Sequence, residues 1–250
     1  MAFGSLESPQ GVAVDNNGNV YVTVAGKDVT SNGVLMLSAD GGSVSRLPFE
    51  GAGPTGLAVD AAGDVFATDY VNDRVLKLAP GAAQATEIEM AGLNRPGGVA
   101  VDSSGTLFVA DTYNDRVLMT REGDVAVELP ITGLKKPAGV AADTSGNVYV
   151  ADTYNDRVLQ LPAGKSEPVE LPFSGLRKPN GVAVDSAGTV YVTSYGDGRV
   201  LELASGHEGS RDLLFEDVEK PWGIAVDNRG HVFVADYGNG RVLKLNTPTG

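Results

Sequence analysis

Residues Pro137 to Leu161 read PAGVAADTSGNVYVADTYNDRVLQL, and five further stretches repeat the pattern, beginning at Pro9, Pro54, Pro96, Pro179 and Pro221. The shared form is Pro-x-Gly, a short apolar run, Asp-x-x-Gly, a Val/Leu-Tyr/Phe strand, a polar loop, and in most copies Arg-Val-Leu. The turn aspartates Asp15, Asp60, Asp102, Asp143, Asp185 and Asp227 lie 45, 42, 41, 42 and 42 residues apart. A period of about 40 residues built from strands predicts a propeller or a linear array.

Each copy reads as one four-stranded blade. The first strand (Gly11–Val14, Gly139–Ala142 and their equivalents) carries small and β-branched residues, which suit a crowded axis. The second strand carries one aromatic per blade: Tyr21, Phe66, Phe108, Tyr149, Tyr191 and Phe233. Apolar residues on both faces fit a sheet held between two neighbours. Arg-Val-Leu opens the third strand, and the fourth is expected to end at Phe49, Met90, Ile131, Phe173 or Phe215. The N-terminal MAFGSLESP matches LPFSGLRKP (Leu171–Pro179), with Phe3 on Phe173, Leu6 on Leu176 and Pro9 on Pro179. That match predicts a closed ring in which N-terminal residues supply the outer strand of the last blade, covering an exposed edge. The expected fold is therefore all-β: a six-bladed β-propeller of four-stranded blades in one domain, 1–250. The blades span about 9–49, 54–90, 96–131, 137–173, 179–215, and 221–245 with 1–4.

Asp-x-x-Gly between first and second strands is tight-turn chemistry: aspartate caps nearby backbone and glycine takes positive φ. A calcium loop at Asp15-Asn16-Asn17-Gly18-Asn19 would need alternating ligands that the other copies lack. Between second and third strands, Asp69/Arg74, Asp111/Arg116, Asp152/Arg157 and Asp236/Arg241 fall opposite each other across a hairpin, a repeated structural pair. Blade 1 has Val24 and Gly33 there and four extra loop residues; blade 5 has Ser194 with Arg199.

The chain is acidic, with net charge −13, which argues against nucleic acid as a partner. It has no cysteine, hence no disulfide framework and no thiolate chemistry. No apolar run of membrane-spanning length is present, so any membrane attachment would come through a segment outside this sequence. The two histidines, His207 and His231, fall on different blades and at positions that do not converge on the axis. No nucleophile elbow occurs. No catalytic residue, metal or cofactor is expected, and the chain is expected to be a monomer.

Strand order places the loops that lead into each first strand and the loops between second and third strands on one end of the disc. That end carries Tyr70, Tyr113, Tyr154, Tyr195 and Tyr237, one per blade from 2 to 6, and six of the 19 basic residues: Arg95, Lys135, Lys136, Arg177, Lys178 and Lys220. The residue between Pro and Gly differs in every blade (Gln10, Thr55, Gly97, Ala138, Asn180, Trp222) and should line the channel mouth. Two readings stand. The tyrosines, the basic arc, Asn180 and Trp222 form a binding face, since Tyr, Trp and Arg are common interface residues. Alternatively the tyrosines pack over neighbouring loops, the bases pair with Asp73, Asp115, Asp156 and Asp197, and Trp222 plugs the channel. The blade 1 loop from Ala25 to Asn32 is expected to fold over the mouth.

On these residues the repeat resembles the NHL family (Pro-x-Gly-Val-Ala-Val-Asp-x-x-Gly-x-Val-Tyr-Val-Ala-Asp-x-x-Asn-x-Arg-Val) over nearly the whole chain. Leu171–Leu176, Pro221–Asp227 and the enlarged first loop further resemble the extracytoplasmic sensor domains of mycobacterial and related actinobacterial transmembrane Ser/Thr protein kinases. The resemblance implies an extracytoplasmic six-bladed propeller binding a ligand through one rim. The function expected is non-catalytic recognition of a protein, peptide or cell-envelope component. The alternative is a lactonase- or lyase-like propeller enzyme acting on a small anionic substrate. RNA binding, known among animal NHL domains, is disfavoured by the acidic charge.

Overall fold

The computed structural model describes residues 3–26 and 32–246. Blade 4 shows the unit: strands Pro137–Ala142, Val148–Asp152, Arg157–Leu161 and Val169–Glu170 pair antiparallel in chain order. The other blades repeat it around a closed ring. Five sheets have four strands. The sixth, among the described residues, has three: Pro221–Val226, Val232–Asp236 and Arg241–Leu245. The only helical elements described are two single 3-10 turns, Thr112–Asn114 and Thr153–Asn155.

Second strands are buried along their whole length, as flanking neighbours require. Their aromatics fill the gaps where blades diverge. Among the described residues the apolar core divides into six clusters, one at each blade boundary. The cluster joining blade 6 to blade 1 packs Phe233, Ala235 and Val242 against Val12, Val20 and Val22, with Leu6 buried and Phe3 beside them.

At the axis the first strands approach until no side chain fits between them. A Cβ on Gly139 would run into the carbonyl oxygen of Asn180 in the next blade. The same relation links Gly11 to Thr55, Gly56 to Gly97, Gly98 to Ala138, Gly181 to Trp222 and, closing the circle, Gly223 to Gln10. Threonine bolts three of these junctions. The Oγ of Thr23 accepts the N–H of Gly11 and donates to the carbonyl of Thr55, and Thr68 and Thr193 do likewise in blades 2 and 5.

Two expectations are corrected. Fourth strands end at Leu47, Ile88, Glu128, Glu170 and Asp212, before the apolar residues predicted to finish them. In four blades an N–H bonds the carbonyl two residues back (Phe49 to Leu47, Ile131 to Leu129, Phe173 to Leu171, Phe215 to Leu213). This inverse γ-turn pattern takes the chain out of the ladder and drops the side chain between blades. The second correction concerns closure. Phe3 to Leu6 occupy the place of Phe173 to Leu176, which follows a fourth strand and does not form one. They therefore close the ring by docking: Leu6 is 7% exposed, and its N–H donates to the Gly240 carbonyl at 2.8 Å.

The Asp-x-x-Gly turns are as expected. Asp143 Oδ1 accepts the N–H groups of Ser145 and Asn147, and Gly146 has φ of 83°. In the tyrosine blades the second carboxylate oxygen accepts the phenol of the following strand, as Tyr21 to Asp15 and Tyr149 to Asp143. Burial first, then the charge and hydrogen bond of the partner aspartate, pushes both phenols up to about 12 from an ordinary 10.

The folded protein thus holds these phenolic protons more tightly than the unfolded chain. Their contribution to stability is complete below pH 10 and is lost as pH rises through 12. Denaturant titrations across that window should show a steep fall in wild-type stability and a shallower one in the Tyr21→Phe/Tyr149→Phe variant; equal slopes would contradict the assignment.

The axial contacts make a second prediction. Gly139→Ala should cost at least about 2 kcal/mol, as over-packed sites do. Gly209→Ala, where a Cβ meets nothing within 4 Å, should be neutral or slightly stabilising. Chemical denaturation of both variants checks this, and equal stabilities would remove the steric account of the axis.

Candidate functional site

First strands run away from the tyrosine-bearing end, so chain order becomes depth order. The residue after proline stands at the mouth, the close-packed glycine comes next, and a branched aliphatic follows. The result is an axial cavity of about 550 Å³. Its floor is a ring of Val12, Leu57, Val99, Val140, Val182 and Ile224, each 5–8% exposed. Thr55, Gly97, Ala138, Asn180 and Trp222 stand at the mouth, with the Thr112 and Thr153 hydroxyl side chains on the wall. Tyr70, Tyr113, Tyr154 and Tyr195 rim it, along with Lys135, Lys136, Lys178 and one carboxylate, Asp115.

The loops presenting these residues are clamped from both sides. Within blade 4, the fully buried Asp152 takes Arg157 Nε at 2.8 Å, Asn155 Nδ2 at 2.8 Å and the backbone N–H of Lys135 at 2.7 Å. Asp69, Asp111 and Asp236 repeat the bracket with the N–H groups of Gly53, Asn94 and Glu219. In blade 5 the Ser194 hydroxyl holds Arg177, while Arg199, without an aspartate opposite, pairs with Asp212 at 2.8 Å. From the preceding blade, Asp73, Asp115 and Asp156 accept the N–H groups of Arg95, Lys136 and Lys178 at 2.6–2.7 Å. The repeated Asp/Arg pair is therefore scaffold. These clamps hold Arg95, Lys136 and Lys178 at φ of 47–49°, a left-handed backbone costing a non-glycine residue about 1 kcal/mol.

The aromatics assemble into two groups. Tyr70 and Tyr113 meet edge to face, with centroids 6.1 Å apart and hydroxyls at 3.3 Å. Arg95 lies over both rings, at 5.6 and 5.0 Å, and Lys136 Nζ is 4.4 Å from the Tyr113 centroid. Burial and the hydrogen bond with Tyr113 raise the Tyr70 phenol, whereas that same bond and Arg95 lower the Tyr113 phenol. On the other side Trp222 touches Tyr195 and Tyr237, each at 5.4 Å, as an aromatic shelf. Between the groups stands Tyr154, 56% exposed, with Lys178 Nζ 5.7 Å from its centroid.

The geometry contains features of both sequence readings. Tyrosines pack on neighbours, yet Tyr113 and Tyr154 keep 40% and 56% of their surface in solvent. Trp222 lines the cavity among the described residues. Lys136 pairs with Asp115 at 3.6 Å, while Arg95 and Lys178 cover tyrosine rings. Arg177 and Lys220 face an adjoining groove, which Lys178 also borders and which Asp156, Asp197 and Glu219 line. Sequence reasoning put Arg177 and Lys220 ahead of Lys136 and Lys178, and it missed Thr112 and Thr153. Arg95, Lys136 and Lys178 share the position immediately before proline, but so does Lys220, so the sequence held no signal that separated side chains over a ring from the rest. The core of the blade 1 loop, 27–31, lies outside the described residues.

His231 Nδ1 sits 2.7 Å from Asp227 Oδ2 in a first-to-second-strand turn, and His207 Nδ1 lies 3.3 Å from the Ser205 carbonyl. Both belong to the opposite end of the disc. Among the described residues no group of three or more His, Cys, Asp or Glu could hold a metal ion.

The NHL repeat matches at residues 93–118, 134–161 and 219–245. No curated protein sequence matches the chain. Solved structures share the fold at low identity. A gluconolactonase from Xanthomonas campestris is 17% identical, with TM-score 0.79 over 98% of this chain and 87% of its own. A catalytically inactive virginiamycin B lyase from Staphylococcus aureus with quinupristin is 14% identical, with TM-score 0.74 over 98% and 97%. A chain from a nidogen/laminin complex is 20% identical, with TM-score 0.75 over 95% and 89%.

Proposed function

This chain is a six-bladed β-propeller carrying NHL repeats, and from that premise we propose that it is a recognition module that binds a protein or peptide ligand at the mouth of its axial cavity. The observation that carries the reading is the convergence of Trp222, Tyr195, Tyr154 and Tyr113 with three lysines around an apolar cavity. Aromatic rings supply large rigid contact area at small entropic cost, and lysines at a cavity mouth steer and orient an anion. A neighbour of the same fold occurs in a protein complex, which is consistent with this use. The expectation of a sensor outside the cytoplasm, binding a cell-envelope component, rests on the kinase-sensor resemblance of Leu171–Leu176 and Pro221–Asp227.

A second reading, catalysis on a small anion, is favoured by the size of the cavity and by enzymes among the structural neighbours. It predicts turnover of gluconolactone or quinupristin.

Panning a random-peptide display library on the immobilised protein tests recognition. Enriched clones should lose about a hundredfold or more in affinity for the Trp222→Ala/Tyr154→Ala variant, as expected when two aromatic anchors are removed. The variant's melting profile should stay near wild type. Clones that bind both proteins equally, or no enrichment together with turnover of either compound, would overturn the reading.

A further inference from the structure

The charges at the mouth are not balanced as they are elsewhere on this acidic chain. The cavity is lined by three lysines and one carboxylate, whereas the adjoining groove, which shares Lys178 with it, has three cations and three carboxylates. The lone carboxylate, Asp115, is already committed. Its Oδ1 accepts the backbone N–H of Lys136 at 2.7 Å and lies 3.6 Å from that residue's Nζ. Among the described residues Lys135 has no carboxylate partner, and Lys178 reaches only the ring of Tyr154. Two ammonium groups without an ion pair thus flank a cavity floored with six aliphatic side chains, in a protein of net charge −13. Low-dielectric walls concentrate the field of such charges at the opening.

We infer that the preferred ligand is an acidic peptide segment. One aliphatic side chain enters the axial cavity, and carboxylates on either side of it meet Lys135 and Lys178. This deepens, and rests on, the recognition reading above. Apolar floor and cationic rim together select an amphipathic anion, since burying the apolar group alone would leave both ammonium groups unmatched. The extent of the rim favours a peptide over a free small acid. Tyr113 and Tyr154, at the rim of the cavity, keep 40% and 56% of their surface in solvent, more contact area than a small acid seated on the floor would use. A chain running across the mouth would cover them, with the Trp222–Tyr237 shelf beneath its far end.

The test uses the clones that require Trp222, together with the Lys135→Glu/Lys178→Glu variant. Both lysines are rim residues, Lys135 without an ion pair and Lys178 exposed, so the variant should fold normally, which its melting profile reports. The clones should carry Asp or Glu within a few positions of a single aliphatic residue. Charge reversal should weaken them roughly tenfold or more, given the modest worth of each exposed pair. Raising salt should weaken wild-type binding and leave the residual binding of the variant nearly unchanged. Trp222-dependent clones that are neutral or basic, or that bind the charge-reversed variant equally, overturn the acidic-peptide inference while recognition stands. Clones indifferent to Trp222 overturn both. Saturation of the mouth by hexanoate as tightly as by the peptides would assign the site to free carboxylic acids instead.

Discussion

The contact of six α-carbons with six carbonyl oxygens at the axis governs this molecule. Gly139 against Asn180, and its five equivalents through to Gly223 against Gln10, let neighbouring first strands pack backbone to backbone. Only the absence of a Cβ allows it. Strands that close together at the axis must fan apart outside it. The aromatics of the second strands occupy the widening gaps, and each blade boundary gains its own apolar cluster. Among the described residues, ring closure by Phe3 and Leu6 is the same packing, with a buried leucine and a backbone hydrogen bond at Gly240 joining the ends.

From that constraint the binding face follows. A glycine ring leaves the residue before it, between Pro and Gly, as a variable position at the mouth, and Trp222 stands there on one side against Ala138 and Gly97 on the other. The mouth is therefore lopsided. An aromatic shelf lies over blades 5 and 6, and lysines gather over blades 4 and 5. Buried aspartates bracket the loops from within each blade, and neighbouring aspartates hold them from outside, so the lysines stand on rigid supports. A ligand would meet a preorganised rim, which lowers the entropic cost of binding.

Much of this was legible in the sequence. The blade count, the strand order, the Asp-x-x-Gly turns and the facing Asp/Arg pairs each depend on residues close together in the chain, and the repeat displays each of them several times. What was not legible depends on contacts between blades. That Tyr70 meets Tyr113, or that Tyr195 reaches Trp222, is decided by how neighbouring loops lean. Lys135 and Lys136 are adjacent in sequence, yet the left-handed backbone at Lys136 sends its ammonium over Tyr113, and Lys135 stays unpaired. The fourth-strand ends were misread because Phe173 and its equivalents look like strand residues; their backbone bonds two residues back and leaves the ladder.

Trp222 is the only tryptophan in the chain, so its fluorescence reports on the mouth without labelling. The most direct measurement is its emission as an enriched acidic peptide is titrated into the wild-type protein, with binding followed separately by anisotropy of the labelled peptide. A ligand seated over the axial cavity predicts a saturable change in emission with the same midpoint as the anisotropy. Peptide that binds to saturation while the emission of Trp222 stays constant would place the binding face elsewhere on the disc.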